Sequence, residues 1–294
     1  MKTCVSSYSF QRLLNLGEYT QLSLISEVKS MGFDAIEFTN LAPPKDMSAV
    51  DFAHKLREES DRCKLPIANY TIGAELLNCP SLDDEVMRIK SEVDIAAILG
   101  AKGVRHDATG GYKGAEKAYK SFDDALRTLI EGCRRITEYA GGKGIKTMVE
   151  NHGFFCQEST RVEKLVTGVG KENFGMLLDM GNFLCADEAP ELAFGRLAPF
   201  AKHIHAKDFH VKSGQGIHPG AGFFTSRAGN FLRGAIIGHG DVPILQCLTI
   251  LKKNGYDGYV SIEFEGIEEN MMAIETGLSN LERFIEMAEN YAMI

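Results

Sequence analysis

Short apolar runs alternate with longer amphipathic stretches along the whole chain. The short runs have the length and composition of buried strands, whereas the longer stretches repeat with the period of a helix. Eight strands are predicted, at residues 2–7, 35–38, 67–70, 103–105, 146–150, 175–179, 203–205 and 259–263. Eight helices are predicted after them, near residues 20–31, 48–62, 82–99, 121–141, 158–167, 188–198, 241–253 and 271–289.

Residues with special backbone preferences mark the ends of several predicted helices. Gly32, Gly100 and Gly255 each follow a helical stretch, and glycine most easily adopts the left-handed conformation that ends a helix. Ser81 and Ser121 precede helical stretches whose first turns are acidic, which is typical of N-caps. These signals support the boundaries drawn from the hydrophobic pattern.

Eight βα units in succession predict an α/β fold, and eight is the number of parallel strands that closes into a (β/α)8 TIM barrel. The competing architecture is a doubly wound open sheet, which usually carries a glycine-rich turn after its first strand. Residues 6–10 read Ser-Ser-Tyr-Ser-Phe and contain no glycine. No repeat or linker interrupts the chain, so residues 1–294 are interpreted as a single barrel domain.

Composition narrows the function without identifying it. Apolar residues make up 44% and charged residues 24% of the chain, as in ordinary globular proteins. The net charge of −8 is spread along the sequence, so no basic stripe favours nucleic acid as a partner. No segment approaches the ~20 apolar residues of a membrane span, and no signal sequence is evident at the N-terminus. We therefore expect a cytoplasmic protein.

The seven cysteines do not form a recognisable pattern. They are scattered, odd in number and never spaced as C-x-x-C, which argues against a disulfide framework and against a thiolate zinc site.

One connection is much longer than the others. About thirty residues, 208–240, separate the seventh predicted strand from the next helix, and they are rich in Gly, Phe and Arg. Long βα loops are usually functional, and in a barrel they open on the face where active sites form. We predict an extended loop over the active site, with a plain surface insertion as the alternative.

The last four predicted strands each lead from an apolar run into a side chain that can bind a metal. Strands five to eight end at Glu150, Asp179, His205 and Glu263. Strand ends place these groups side by side at the rim of a barrel. Three carboxylates and one imidazole form a hard ligand set that suits one divalent ion, with Mn²⁺ favoured and Mg²⁺, Co²⁺ or a catalytic Zn²⁺ as alternatives.

The segments around these residues resemble the xylose isomerase-like superfamily of TIM barrels. The resemblance rests on Val-Glu-Asn-His-Gly at 149–153, Leu-Asp-Met-Gly-Asn at 178–182, His-Ala-Lys-Asp at 205–208 and Ser-Ile-Glu-Phe-Glu at 261–265. The run Gly-His-Gly-Asp-Val-Pro at 238–243 is similar to a motif that precedes the last helix in that group. The superfamily includes sugar phosphate isomerases, ketose 3-epimerases, inosose dehydratases and isomerases, and apurinic endonucleases.

The resemblance implies a function and assigns roles to the four strand-end residues. Glu150, Asp179, His205 and Glu263 would bind the metal, and the two glutamates would also act as the acid/base pair. A metal that chelates two adjacent oxygens of a hydroxy-ketone acidifies the C–H bond between them and stabilises the enediolate. The implied activity is therefore isomerisation or epimerisation of a sugar, keto-sugar or inositol-derived substrate.

Several polar residues near these strand ends are candidates for contacts with the substrate. His152 lies two residues past Glu150 and is expected to project into the same mouth. Lys207 stands in the same relation to His205 and either holds a substrate oxygen or pairs with Asp208.

Three further candidates come from neighbouring strand ends. Glu265 repeats the orientation of Glu263 and is its rival as fourth ligand, although the family pattern favours Glu263. Glu37 ends the second predicted strand and resembles a substrate-side glutamate of relatives. Arg105 either forms an ion pair with Asp107 or binds substrate hydroxyls.

One position departs from the family pattern. Many ketose epimerases of the superfamily have a histidine three residues after the Asp ligand, where this chain has Asn182. Asparagine cannot carry a proton but can hydrogen-bond a hydroxyl, which shifts the expectation from a free ketose toward inositol-derived or oxidised sugars. Arg227 and Arg233, in the long loop, are the candidates for binding an anionic group on the substrate.

Other functions remain as alternatives. A dehydratase of a keto-inositol or keto-sugar would share the first proton abstraction and then lose a hydroxyl. A non-catalytic sugar-binding barrel is the alternative from outside enzymes. An apurinic endonuclease would need more histidine ligands and a basic surface, which this acidic chain with eight histidines lacks. Nothing in the sequence specifies an oligomeric state, although a homo-oligomer fits the family.

Overall fold

The computed structural model describes residues 1–292 and contains a closed barrel of eight parallel strands. Around the barrel the order is β1-β2-β3-β4-β5-β6-β7-β11, and β11 pairs with β1 to close it. The strands are β1 Lys2–Ser6, β2 Ala35–Thr39, β3 Ile67–Ile72, β4 Gly103–His106, β5 Lys146–Glu150, β6 Phe174–Asp179, β7 Ala201–Ala206, β8 Asp208–Lys212, β9 Phe224–Thr225, β10 Phe231–Ala235 and β11 Tyr259–Ile262. The predicted (β/α)8 fold is confirmed.

Helices cover the outside of the barrel and bury their apolar faces against the strands. They are α1 Gln11–Leu16, α2 Gln21–Met31, α3 Ala49–Cys63, α4 Leu82–Leu99, α5 Phe122–Gly141, α6 Ser159–Val169, α7 Asn182–Cys185, α8 Pro190–Leu197, α9 Ile244–Lys253 and α10 Asn270–Ala292. No helix within residues 1–292 has the length and apolar character needed to cross a membrane.

The eight predicted strands and eight predicted helices are confirmed, with boundaries shifted by at most a few residues. Ser81 and Ser121 cap α4 and α5, and the Ser81 hydroxyl accepts a hydrogen bond from the Asp84 amide at 3.2 Å. Gly32 and Gly100 adopt the left-handed conformation at the ends of α2 and α4. The local signals in the sequence therefore locate the elements correctly.

Two short helices that follow the carboxyl ends of barrel strands were not predicted. The helix α1 follows β1 after a single 3-10 turn, and α7 follows β6. Each is too short to show a helical period, so the hydrophobic pattern could not reveal it. The helix α7 starts at Asn182, whose backbone N–H donates a hydrogen bond to the Asp179 carboxylate at 2.7 Å.

The long connection predicted at residues 208–240 is present, but it is not irregular throughout, because three short strands run through this segment. The strands β8, β9 and β10 form an antiparallel sheet in the order β8-β10-β9, which we call the side sheet. Gly234 in β10 approaches the end of β11 so closely that a Cβ atom there would lie 2.5 Å from the carbonyl carbon of Glu265. The side sheet thus packs against the strand end that carries Glu265.

Asp208 holds the base of the side sheet together. Its buried carboxylate accepts hydrogen bonds from the backbone N–H groups of Gly238 and Gly240, both at 2.9 Å, and of Val242 at 3.1 Å. A Cβ atom on Gly240 would lie 2.2 Å from this carboxylate, so only glycine fits there. The sequence motif at 238–243 is therefore a backbone cradle around one carboxylate.

We predict that Asp208→Ala lowers the free energy of unfolding by about 3 kcal/mol, because several buried N–H groups lose their acceptor. Chemical denaturation in the presence of a chelator measures this effect without a contribution from metal binding. The exposed Asp46 provides a matched control, Asp46→Ala, which should leave stability unchanged. Equal stability of the two variants would contradict the role assigned to Asp208.

Candidate active site

Four side chains converge at the carboxyl ends of β5, β6, β7 and β11. The register pairs Asp179 with His205 across adjacent strands, while Glu150 ends β5 and Glu263 follows the last residue of β11. One potential ligand atom from each residue lies within 4.8 Å of the others. All four are buried, and Asp179 and His205 have no exposed surface. We call Glu150, Asp179, His205 and Glu263 the four-residue cluster.

Two of the atoms that face the centre of the four-residue cluster form no hydrogen bond. His205 Nδ1 and Asp179 Oδ2 are both buried without a hydrogen bond within the described residues, although the Lys207 ammonium lies 3.3 Å from Asp179 Oδ2. His205 Nδ1 lies 3.5 Å from Glu263 Oε1 and 3.8 Å from both Glu150 Oε1 and Asp179 Oδ2. Buried polar atoms are normally satisfied, so converging unsatisfied ones indicate a missing ligand. Three carboxylates and one imidazole fit a hard divalent cation.

The second oxygen of each glutamate contacts a buried cation. Glu150 Oε2 lies 2.7 Å from the Arg105 guanidinium, and Glu263 Oε2 lies 2.6 Å from the Lys207 ammonium. The two glutamates are therefore arranged alike, with one oxygen toward the centre of the four-residue cluster and one toward a cation. This arrangement fixes both carboxylates in orientation.

Burial and neighbouring charges shift the pKa values of Asp179 and Glu263 in opposite directions. Burial raises the pKa of Asp179 to about 7, and the carboxylates of Glu150 and Glu263 add to the effect. Burial opposes the ionised form of Glu263 as well, but Lys207 and His205 outweigh it and lower the pKa of this carboxyl. Without a metal, the cluster offsets part of its negative charge by binding protons. A divalent cation bound at the centre would displace those protons.

His205 is oriented from behind by Glu37. Its Nε2 lies 3.0 Å from Glu37 Oε2, which leaves Nδ1 free to face the four-residue cluster. Glu37 also contacts His203 Nε2 at 2.8 Å and accepts a hydrogen bond from the Thr71 hydroxyl at 2.5 Å. Burial disfavours the charge on Glu37, but the two histidines lower its pKa well below the ordinary value.

The structure thus places Glu37 differently from the sequence-based expectation of a substrate contact. Its side chain is fully buried beneath His205 and does not line the cavity described next. A hydrogen-bonded partner of this kind fixes the tautomer and orientation of a metal-binding histidine.

A cavity of about 320 Å³ opens on one side of the four-residue cluster. We call it the strand-end cavity. Its volume lies at the small end of the usual range for ligand pockets, which is roughly 300–1,000 Å³. It is lined by Tyr8, Thr39, Asn40, Thr71, Ile72, Gly73, Arg105, Asp107, Glu150, His152, Lys207, Glu263 and Glu265.

Several of the residues predicted to contact substrate meet in this cavity. Arg105 bridges Asp107 at 2.8 Å and Glu150 at 2.7 Å, so it forms the predicted ion pair and also lines the cavity. Asp107 Oδ1 in turn lies 3.0 Å from Nδ1 of the half-exposed His152. One wall of the cavity is therefore a connected chain of charged side chains.

The opposite wall is organised by Lys207, which does not pair with Asp208 as the sequence had allowed. Its ammonium group lies 2.6 Å from Glu263, 3.3 Å from Asp179 and 3.7 Å from Glu265. Burial disfavours the charged amine, but these carboxylates outweigh it and raise the pKa of Lys207 well above the ordinary value. Glu265 stands outside the four-residue cluster, in the cavity wall.

Asn182 contacts the four-residue cluster rather than the cavity. Its side-chain NH₂ group donates a hydrogen bond to Glu150 Oε1 at 2.9 Å, and its side-chain oxygen accepts one from the Lys207 ammonium at 3.2 Å. Asn182 therefore connects the two charged walls from beneath.

The loop arginines do not reach the strand-end cavity, so the structure does not support their predicted role. Arg227 forms an ion pair with Glu158 and donates to the Phe154 carbonyl. Arg233 pairs with Glu268 at 3.0 Å. No residue from 208–240 lines this cavity in the part of the chain that the structure describes.

The wall formed by the first two strand ends was not predicted from the sequence. Tyr8, Thr39 and Asn40 line the cavity, yet none of them has a charge that would single it out. Their position directly after β1 and at the end of β2 was the available signal, because barrel active sites are built from strand ends.

Comparison with known proteins places this chain in a family. Residues 25–284 match the family model described as "Xylose isomerase-like TIM barrel". The chain belongs to the xylose isomerase-like TIM barrel family. The family resemblance drawn from the sequence motifs is therefore confirmed.

Relatives within and around this family carry several activities. An inosose dehydratase from Clostridium perfringens is 25% identical over 258 residues, which cover 84% of this chain and 83% of that protein. Among solved structures, L-ribulose 3-epimerase superposes with a TM-score of 0.72 at 14% identity, covering 99% of this chain and 97% of that one. The IOLI protein, solved with a zinc atom, gives a TM-score of 0.73 at 18% identity and 99% coverage of both chains. At these identities the structural matches show the shared fold alone.

We predict that Glu37→Gln weakens Mn²⁺ binding by about 10–100-fold, because His205 loses the carboxylate that fixes its tautomer. Isothermal titration with Mn²⁺ measures the affinity. Glu265→Gln is the matched control, since it removes a nearby charge outside the four-residue cluster and should weaken binding far less. If Glu265→Gln lost the metal and Glu37→Gln kept it, the assignment of both residues would be wrong.

Proposed function

We propose that the chain is a divalent-metal-dependent isomerase or epimerase that acts on a sugar, keto-sugar or inositol-derived substrate by moving a proton at the carbon next to a carbonyl. The observation that carries this proposal is the matched pair Glu150 and Glu263. Each lines the strand-end cavity, and each turns one oxygen toward His205 Nδ1 and the other toward a buried cation.

The proposed metal ligands are the four residues of the cluster, with Mn²⁺ as the favoured ion and Mg²⁺, Co²⁺ or Zn²⁺ as alternatives. When bound there, a divalent cation would stabilise the negative charge that develops on the substrate oxygens. Support comes from the unsatisfied, buried atoms His205 Nδ1 and Asp179 Oδ2 and from the oxygen-rich donor set.

Glu150 and Glu263 are the proposed acid/base pair. They come from strands that are separated by two others in the barrel, so they approach a bound ring from different directions. One carboxylate removes the proton, and either the same or the opposite carboxylate returns it. Arg105 and Lys207 keep the pair oriented, and such positioned proton transfer typically contributes 10²–10⁴-fold in rate.

The remaining polar residues of the cavity are proposed to bind the hydroxyl groups of the substrate. His152 is half exposed at the mouth, while Lys207 and Glu265 face the cavity from the opposite wall. A mixture of donors and acceptors on both sides suits a polyol, whose hydroxyls can donate and accept hydrogen bonds.

Dehydration is the second candidate, and the sequence relatives favour it. Inosose dehydratases match this chain over 84% of its length. A dehydratase shares the first proton abstraction but needs a further group that donates a proton to the departing hydroxyl. Glu265 and His152 both line the cavity and could serve that step.

The proposed reaction can be tested with an inosose and a panel of keto-sugars in D₂O, using the Mn²⁺-loaded protein. We expect metal-dependent exchange of the C–H proton next to the carbonyl for deuterium. Proton NMR measures this exchange as the loss of that proton's signal. Glu150→Gln or Glu263→Gln should slow this exchange by about 10²–10⁴-fold. Exchange with a new sugar isomer indicates an isomerase or epimerase, whereas a new ultraviolet absorbance indicates loss of water.

Binding of Mn²⁺ and of sugars without any proton exchange would contradict the proposed function. It would indicate the non-catalytic sugar-binding barrel instead.

A further inference from the structure

A second cavity, of about 790 Å³, lies beside the strand-end cavity on the same face of the barrel. It is formed by α1, the beginning of α2, the connection between β2 and α3, and the first turns of α3. We call it the side groove and define it by its large apolar residues. These are Leu14, Tyr19, Leu22, Leu41, Met47 and Phe52.

The two cavities meet at a shared wall. Tyr8, Thr39 and Asn40 line both of them, so these three residues form the boundary between the strand-end cavity and the side groove. The side groove is therefore the direct neighbour of the strand-end cavity.

The backbone at this junction is held in a fixed, unusual conformation. Asn40 has a φ of 37°, in the left-handed region that residues other than glycine rarely adopt. The Gln21 side chain secures it by donating to the carbonyl of Asn40 at 3.0 Å and accepting from the amide of Ala42 at 2.8 Å. The Asn40 amide also donates to the Thr71 carbonyl at 2.9 Å. The backbone segment between the two cavities is thus held in place by hydrogen bonds on both sides.

The chemistry of the two cavities differs sharply. Asp107, Glu150, Glu263 and Glu265 line the strand-end cavity, whereas no carboxylate of the described residues lines the side groove. Among these residues, the exposed Lys55 is the one charged side chain in the lining of the groove. Half-buried groove residues such as Leu14 and Tyr19 leave apolar surface open to a ligand.

We propose that the side groove binds an apolar substituent of the substrate, so that the substrate is a sugar or polyol carrying an alkyl or aryl group. The polyol part would occupy the strand-end cavity and the substituent would lie against Leu41, Met47 and their neighbours. This inference rests on the proposed function for the location of the polyol part. Binding energy from such a remote group helps to position the reacting carbon.

The test compares the affinities of methyl, hexyl and phenyl β-D-glucopyranosides for the Mn²⁺-loaded protein by calorimetry. Burial of the added carbons predicts that the hexyl or phenyl glucoside binds at least about tenfold more tightly than the methyl glucoside. The hexyl and phenyl arms distinguish an alkyl from an aryl substituent. Equal affinity of all three glucosides would overturn the proposal.

Variants of groove residues show whether the groove is the source of the gain in affinity for the hexyl or phenyl glucoside. Met47→Asp and Leu41→Asp should each abolish it, because both place a charge among the groove residues. Val50→Asp is the matched control, since Val50 is 47% exposed in the first turn of α3 and does not line the groove. A gain that survives both groove variants would overturn the proposal.

The oligomeric state and the proton exchange of the same protein samples complete the test. If the protein is a dimer that Met47→Asp converts to a monomer, and the glucosides show no gain, the groove is a contact between copies and the proposal fails. If the gain is seen but no keto-substrate exchanges its proton, the groove binds its ligand and the proposed reaction alone is wrong.

Discussion

Three carboxylates that belong to different strands are buried around one imidazole, and the rest of the site depends on how their mutual repulsion is balanced. Glu150, Asp179 and Glu263 each bring an oxygen within 4.8 Å of the others, and all three side chains are buried, so water screens their charges little. Charges so close together in a protein interior repel one another strongly unless cations compensate them. The raised pKa of Asp179, at about 7, is a direct result of this burial and crowding.

The surrounding residues are best understood as the compensation for that charge. Arg105 and Lys207 neutralise the outer oxygens of the two glutamates, and Asn182 connects both walls by hydrogen bonds. His205 Nδ1 and Asp179 Oδ2 form no hydrogen bond within the described residues, and on our proposal a divalent cation supplies positive charge between them. Glu37 contributes from beneath by orienting His205, so that the imidazole presents Nδ1 to the same point.

Much of this arrangement was predictable because barrels place their active sites at strand ends. The pattern of apolar runs that lead into strand-end polar residues was enough to predict the fold and to bring Glu150, Asp179 and His205 together. Strand position alone could not separate Glu263 from Glu265, since both point the same way; the structure separates them by distance.

The features that could not be predicted depend on contacts between distant segments. Burial beneath His205 is invisible in the sequence, so Glu37 was interpreted as a substrate contact. The backbone pairing that folds residues 208–240 into the side sheet is non-local and leaves little periodic signal in such short strands. Arg227 likewise finds its partner, Glu158, only through the fold. The cavity wall formed by Tyr8, Thr39 and Asn40 is uncharged, so no residue type in it indicates a binding site in the sequence.

The most direct test of the metal site is a crystal structure of the protein grown with Mn²⁺, with anomalous scattering used to locate the ion. We expect one strong peak about 2.0–2.3 Å from His205 Nδ1 and from an oxygen of Glu150, Asp179 and Glu263. Glu37 would remain hydrogen-bonded to His205 Nε2 behind it. A peak between Glu37 and His203, or no peak while these residues keep their present positions, would contradict the central claim.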